Sequence, residues 1–197
     1  MTATACSYEH VIWDEASFQN KPQLTRMLSP AKRPAKIQVS YHPGHVVKAF
    51  GWIDMQGRLG VMPSRQCKLP DFKAALQLLR AQYPADMTLI LVLDNAKIHH
   101  GREMPAYYQA LNIVPVFLPP YSADLSPQEQ VWRLVRKPLK NKIFREQIDL
   151  QTAFDQVFAH LGPCESLLTA WVHQFVDPTL KSELEAEFSN GLISASV

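Results

Sequence analysis

The order of apolar and polar positions along the chain predicts strands before helices. Short apolar runs typical of strands occupy residues 10–15 and 37–41, and residues 46–62 contain a Met-Gln-Gly turn between strand-forming residues, as a hairpin does. Residues 70–83 have apolar side chains at helical spacing between two prolines, which predicts a helix. We therefore expect roughly three strands in succession, followed by a helix.

The middle of the chain alternates strand with helix. Residues 88–95 form a continuous apolar run that stops at an acid, as a strand buried on both faces should, and a helix is expected from about 102 to 111. A second strand at 112–118 leads to a helix that begins near Ser126. From residue 150 onward the pattern is helical. This order predicts an α/β fold, with a mixed sheet flanked by helices.

The bulk composition narrows the class of protein. The chain has 197 residues, of which 47% are hydrophobic and 19% charged, as in ordinary globular proteins. No apolar run approaches the about 20 residues needed to span a bilayer, so we expect no membrane partner. The three cysteines are widely spaced and indicate neither a disulfide framework nor a zinc site, which favours a reducing, intracellular setting.

Charge is distributed unevenly along the chain. Residues 1–145 contain 19 Lys and Arg and 10 Asp and Glu, whereas residues 146–197 contain one Lys and eight acids. A basic body indicates a polyanionic partner, although two surfaces of opposite charge could instead dock on each other. Pattern and charge together predict a domain at 1–149 and an acidic helical C-terminal extension at 150–197. We expect the extension to pack against the domain or another subunit.

Three carboxylates occur where the predicted elements meet. Asp14 and Asp94 each end an apolar strand, and Glu129 lies in the first turn of a helix that follows another strand. Ligands gather at the carboxyl ends of strands in such sheets. Carboxylates that lie so close together repel one another unless a cation is present, and their oxygens suit Mg²⁺ or Mn²⁺. Two such ions about 4 Å apart can clamp a phosphodiester, so the residue types fit metal-dependent phosphoryl transfer.

Each of these acids also has a structural interpretation. Ser126 and Glu129 have the spacing of a capping box, in which the carboxylate accepts a hydrogen bond from the backbone of the first residue. Asp94 could simply form a turn after a strand. Asp14 and Glu15 could be a charged pair at a strand end, and we expect Glu15 to point away from Asp14 because side chains alternate along a strand.

The helix that begins near Ser126 carries a basic stripe. The segment 132–145 contains six Lys and Arg and no acid, which suits a phosphate backbone, although a solvated helix face would look similar. Pro138 is expected to kink or end the helix before Lys140. At about 100° per residue, one narrow stripe contains Glu129, Arg133, Arg136 and Lys140.

Three motifs resemble a known family. DEASF (14–18), VLDNAKIH (92–99) and LPPYSADLSPQEQVW (118–132) occur in this order, and 34 residues separate Asp94 from Glu129. Together they resemble the catalytic domain of mariner-type transposases, in the branch found in bacterial insertion sequences. The resemblance covers about residues 8 to 145. It implies a ribonuclease-H-like fold in which the third carboxylate binds metal rather than only capping its helix.

The resemblance also implies a set of site residues. The metal-binding catalytic residues would be Asp14, Asp94 and Glu129, holding two Mg²⁺ or Mn²⁺ ions. Independently of the resemblance, the basic helix segment predicts the DNA-binding residues Arg133, Arg136, Lys137 and Lys140. Asn95 and His99 would support the metal ligands, with local hydrogen bonds at a helix start as the alternative for His99.

The function implied is that of a DDE transposase. Such an enzyme hydrolyses a phosphodiester at the transposon end and transfers the free 3′-OH into target DNA. DNA ends and target DNA would be the partners, in a homodimer or larger oligomer in the bacterial cytoplasm, associated with the nucleoid. The alternatives are an inactive or domesticated DNA-binding protein and a structure-specific nuclease on the same fold.

The position of the first motif bears on domain organisation. Family members ordinarily carry an N-terminal helix-turn-helix region that reads the transposon ends, whereas only 13 residues precede Asp14. We therefore expect a catalytic domain alone. A separate helix-turn-helix polypeptide, or a missing N-terminal domain, would then supply recognition of the ends.

Overall fold

A mixed five-stranded sheet forms the centre of the computed structural model, which describes residues 7–20, 45–119, 126–140, 142 and 144–169. The strands are β1 (Tyr8–Gln19), β2 (Val46–Asp54), β3 (Leu59–Ser64), β4 (Thr88–Leu93) and β5 (Ile113–Phe117). The helices are α1 (Leu69–Arg80), α2 (Met104–Ala110), α3 (Pro127–Leu139) and α4 (Gln147–Ala159), and a short 3-10 helix covers Lys97–His100. The strand predicted at 37–41 lies outside the described residues.

The strand order across the sheet is β3-β2-β1-β4-β5. The β1–β2 and β2–β3 pairs are antiparallel, whereas the β1–β4 and β4–β5 pairs are parallel. The predicted hairpin is confirmed as β2 and β3, joined by a turn in which Gly57 adopts a φ of 75°. The predicted α/β class with a mixed sheet is therefore confirmed.

The first strand is longer than the sequence pattern predicted. Antiparallel pairing with β2 continues to Gln19 opposite Val46, whereas parallel pairing with β4 stops at Ile12 opposite Val92. The prediction that Asp14 ends a strand was therefore wrong, because β2 extends β1 well past it. Asp14 still lies level with the end of β4, where the parallel part of the sheet stops.

Two hydrophobic cores hold helices against opposite faces of the sheet. On one face, Trp13 stacks on Trp52 with 5.5 Å between ring centroids and meets Phe72 of α1 edge-on at 5.4 Å. On the other face, Trp132 of α3 packs edge-on against Phe18 at 5.7 Å. The helices thus cover both faces, as the sequence predicted. No helix in the described ranges is long and apolar enough to cross a membrane.

The fourth helix belongs to the second core. Leu150 and Phe154 of α4 are buried in the same cluster as Trp132. The predicted boundary after residue 149 therefore falls inside α4, because this helix begins at Gln147. Residues 170–197 lie outside the described part of the chain, so the division of the chain into two regions stays a prediction.

Gly51 permits the close approach of α3 to the sheet. This residue lies opposite Asp14 in the β1–β2 ladder. A Cβ atom at Gly51 would lie 2.5 Å from Cζ2 of Trp132 and 2.6 Å from Nε2 of Gln128, closer than van der Waals contact allows. A side chain at this position would therefore push α3 away from β1 and β2.

We expect Gly51→Ala to lower the free energy of unfolding by about 1–3 kcal/mol, the usual cost of overpacking a core. Denaturant unfolding of the purified variant measures this change. Gly162→Ala is the matched control, because no atom lies within 4 Å of a Cβ built at Gly162. Equal stability of the two variants would show that α3 tolerates displacement at Trp132.

Candidate metal-dependent active site

Two of the predicted acids reach the same cavity at the end of the parallel strands. The β1–β4 pairs run from Tyr8 opposite Thr88 to Ile12 opposite Val92, and continuing this register places Asp14 level with Asp94. Both acids line a cavity of about 420 Å³. Its other lining residues include Glu15, Lys48 of β2, Gln66 and Cys67. The sheet topology therefore brings Asp14 and Asp94 together, although 80 positions separate them in the chain.

Asp14 is held on the face that α3 covers. Its Oδ2 accepts a hydrogen bond from Nε1 of Trp132 at 3.0 Å, and its Oδ1 accepts one from the backbone N–H of Glu15 at 2.9 Å. Burial, followed by the negative charges of Glu129 and Glu15, nevertheless raises the pKa of Asp14 to about 7. The two donors therefore compensate only part of the cost of a charged Asp14, and a cation would favour its ionised form.

Asp94 is held by a buried histidine. The 3-10 helix places Nδ1 of His99 3.0 Å from the carbonyl oxygen of Asp94 and 3.2 Å from its Oδ1. On the other side of the ring, Nε2 lies 2.8 Å from Oε1 of Glu15. Burial lowers the pKa of His99, but the hydrogen bond and charge of Glu15, with those of Asp94, outweigh burial and raise it. His99 thus links β1 to the end of β4.

The chemistry of the donors fits a metal ion. Among the residues that the structure describes, Glu15, Asp94 and His99 have possible ligand atoms that all lie within 4.8 Å of one another. Of the three predicted acids, only Asp94 belongs to this group. Asp14 points to the other face of β1 from Glu15, toward Trp132. Carboxylate oxygens are the ligands that Mg²⁺ and Mn²⁺ prefer, and a cation nearby would favour the ionised form of the half-buried Asp14.

Glu129 lies in the first turn of α3 and acts on Asp14 through its charge. Its charge is the second cause of the raised pKa of Asp14, after burial. The capping box that the spacing of Ser126 and Glu129 allowed is not formed: Ser126 occupies the N-cap position without a side-chain capping bond, and the backbone N–H of Glu129 donates to the carbonyl of Ser126 at 3.1 Å. The Glu129 carboxylate instead lies 3.7 Å from Nη1 of Arg136, which is about two turns further along the helix.

The basic side chains of α3 divide into two groups. Arg133 and Lys137 are exposed, whereas the guanidinium of Arg136 lies over the ring of Phe18, 5.3 Å from its centroid. The helix ends at Leu139 and Lys140 follows it in an extended conformation, as Pro138 led us to expect. Arg133 and Arg136 of the predicted stripe therefore lie on the helix, whereas Lys140 lies just beyond its end.

Some site residues were missed or differently placed by the sequence. Glu15 was set aside because it points away from Asp14, which it does, yet it reaches His99 and Asp94 from the other face. Lys48 gave no local signal, since only strand pairing brings it to the cavity. Asn95 donates to the carbonyl oxygen of Leu118 and thereby ties the end of β4 to the end of β5. Its predicted support of the metal ligands stays a prediction.

Comparison with known proteins identifies a family for most of the chain. The family model described as DDE superfamily endonuclease matches residues 9–151. Over 64 residues the chain is 39% identical to the uncharacterized protein y4pE/y4sA of Sinorhizobium fredii (strain NBRC 101917 / NGR234), an alignment that covers 32% of this chain and 45% of that protein. The chain thus spans less than half the length of this relative.

Solved structures of the Mos1 transposase share the fold. The mariner Mos1 paired end complex with Mg matches with a TM-score of 0.64 and 19% identity, over 84% of this chain and 52% of that chain. The catalytic domain of Mos1 mariner transposase matches with a TM-score of 0.58 and 16% identity, over 84% and 76% of the respective chains. At such identity the likeness shows the fold, and the predicted ribonuclease-H-like architecture is confirmed.

The raised pKa of Asp14 predicts a pH dependence of stability in the metal-free protein. The unfolded chain loses this proton near pH 3.8, whereas the folded state keeps it until about pH 7. Folding stability contributed by the protonated acid is therefore present at low pH and is lost as the pH rises through this window. We expect Asp14→Asn to flatten that decline.

The free energy of unfolding, measured with a chelator present from about pH 4 to about pH 7, checks this expectation. Asp86→Asn is the control, because Asp86 is exposed and lies outside the cavity. Parallel pH profiles for wild type and Asp14→Asn would show that Asp14 ionises without cost in the folded protein.

Proposed function

The chain belongs to the family of DDE superfamily endonucleases, and from this premise we propose that it carries the catalytic activity of a DNA transposase. The reaction would cut a phosphodiester at the transposon end and join the resulting 3′-OH to target DNA. The observation that carries the proposal is the convergence of Asp14 and Asp94 on one cavity, with the charge of Glu129 acting on Asp14. Solved Mos1 complexes described as strand transfer and paired end complexes support it by fold.

Asp14, Asp94 and Glu129 would hold the metal, which we propose to be two Mg²⁺ or Mn²⁺ ions. When bound, such ions make an attacking oxygen more nucleophilic and stabilise the charge of the phosphate that it attacks. Two Mos1 paired end complexes are described as containing Mn and Mg, respectively. The raised pKa of Asp14 supports this assignment, because a cation would lower it and leave the carboxylate ionised at neutral pH.

The residues around the acids would set their orientation. Trp132 donates to Asp14 and fixes that carboxylate against α3, while His99 contacts both the backbone and the side chain of Asp94. Glu15 accepts hydrogen bonds from His99 and from Nε1 of Trp13, so it fixes the imidazole in turn. Rigid ligands of this kind cost less to order around substrate than mobile ones.

Phosphate contacts would come from the exposed face of α3. Arg133 and Lys137 are exposed there, and backbone phosphates supply most of the affinity in protein–DNA complexes. A DNA strand that follows α3 would have its scissile phosphate near Glu129. We propose a homodimer or larger oligomer as the active form, since two ends must be cut and joined together.

We expect Asp94→Asn to abolish metal-dependent DNA cutting, with a loss of at least about a hundredfold, while the fold is retained. Asparagine keeps the acceptor for the backbone N–H of Ala96 but loses the negative charge. Nicking of a supercoiled plasmid in Mn²⁺ measures the effect, with Asp86→Asn as the control. Nicking at the wild-type rate by the Asp94 variant would remove this residue from the mechanism.

Glu129→Gln is expected to weaken Mn²⁺ binding and cutting without lowering the melting temperature. The carboxylate forms no capping bond, and a partly exposed pair with Arg136 contributes only about 0–1 kcal/mol. Calorimetric titration of Mn²⁺ and thermal unfolding separate the two effects. Glu103→Gln, an exposed acid paired with Lys73, is the matched control. Unchanged Mn²⁺ affinity would exclude Glu129 as a ligand.

A further inference from the structure

A second cavity lies beyond the acids, where the ends of β1 and α3 meet. Its volume is about 410 Å³, large enough for a nucleotide-sized group. Three cationic side chains line it, and none of its described lining residues is acidic. They are Arg136, Lys140 and Lys142.

The walls of this cavity are held in place by a buried amide. Asn20, which is 3% exposed, accepts a hydrogen bond from the backbone N–H of Phe144 at 3.2 Å and donates to the Phe144 carbonyl oxygen. The backbone N–H of Asn20 also donates to the carbonyl of His45 at 2.9 Å. The segment that carries Lys142 is thereby tied to the end of β1, so the cavity is formed by the fold before any ligand binds.

Acids neutralise the cations of the cavity only in part. Arg136 is shared with Glu129, but neither Lys140 nor Lys142 has an ion-pair partner within the described residues. Like charges held around one cavity repel, and an anion placed between them relieves this repulsion. The cavity is therefore suited to an oxyanion, such as a phosphate group, that contacts two or more of these cations.

We propose that this cavity binds a backbone phosphate of DNA several nucleotides from the scissile bond. The inference rests on the proposed function and adds Lys142 to the residues expected to contact DNA. Arg136 lies two helical turns beyond Glu129, about 10 Å along α3, and Asn20 lies about 20 Å beyond Asp14 along β1. At about 3.4 Å per nucleotide, these lengths correspond to roughly three to six nucleotides.

A double-mutant cycle tests this assignment. The single variants Lys140→Gln and Lys142→Gln and the double variant are compared with wild type. Binding of a labelled DNA duplex of mixed sequence is followed by fluorescence anisotropy between about 50 and 200 mM salt. If both lysines contact one phosphate, the loss in the double variant differs from the product of the single losses by roughly threefold or more. The double variant should also lower the salt slope by about 0.9, the value for one phosphate.

The exposed residues of α3 provide the internal reference. Lys137 does not line the cavity, so Lys137→Gln should combine with Lys142→Gln multiplicatively. Arg102→Gln, an exposed residue outside both cavities, should leave affinity unchanged. Full affinity in the Lys140/Lys142 double variant, while Arg133→Gln or Lys137→Gln weakens binding, would overturn the cavity as a DNA site.

Two further outcomes distinguish other occupants. Inorganic phosphate that competes with DNA in wild type but not in the double variant supports the assignment. Inorganic phosphate that binds at the lysines without affecting DNA would identify a free-anion site and overturn it. Absence of DNA binding by wild type itself would instead overturn the proposed function, so the two failures are distinct.

Discussion

The contact of Trp132 with Gly51 is the constraint on which the site depends. Because Gly51 has no side chain, the indole lies directly on the sheet opposite Asp14 and donates to its carboxylate. The position of Trp132 fixes the rotation and height of α3, and these in turn fix Glu129 near Asp14. A packing contact in the core therefore determines the geometry of charges at the surface, and loosening it would separate acids that belong to different elements.

The same contact makes the site electrostatically costly. Burial under α3 and the nearby charges of Glu129 and Glu15 oppose ionisation of Asp14, and two hydrogen-bond donors do not offset them. A fold selected for stability alone would place a neutral residue there. The arrangement is instead consistent with a cation as a further component, because one divalent ion would favour the charged form of all the acids at once.

The sequence predicted the fold class, the hairpin and the start of α3 near Ser126, because these follow from periodicity and motif order. It could not predict that β1 continues past Asp14, since strand length is set by pairing with β2 rather than by the residues of β1. Lys48 reaches the cavity through strand pairing, which its own sequence neighbours do not reveal. Glu15 points away from Asp14 as predicted, and its contact with His99 on the other face depends on the fold. The spacing of Ser126 and Glu129 allows a capping box but does not ensure it, because the neighbours of Glu129 determine where its carboxylate lies.

The absence of a capping bond between Glu129 and Ser126 has a functional consequence. A carboxylate engaged in a capping box would lose ligand oxygens to the backbone, whereas the ion-pair contact of Glu129 within the described residues is a long one, 3.7 Å to Arg136. Arg136 also lines the basic cavity and rests on Phe18. One side chain thus borders both the acids and the cations of α3. Because Arg136 contacts both, a ligand that drew it toward the cavity would lengthen its contact with Glu129 and would thereby link the basic group to the acidic one.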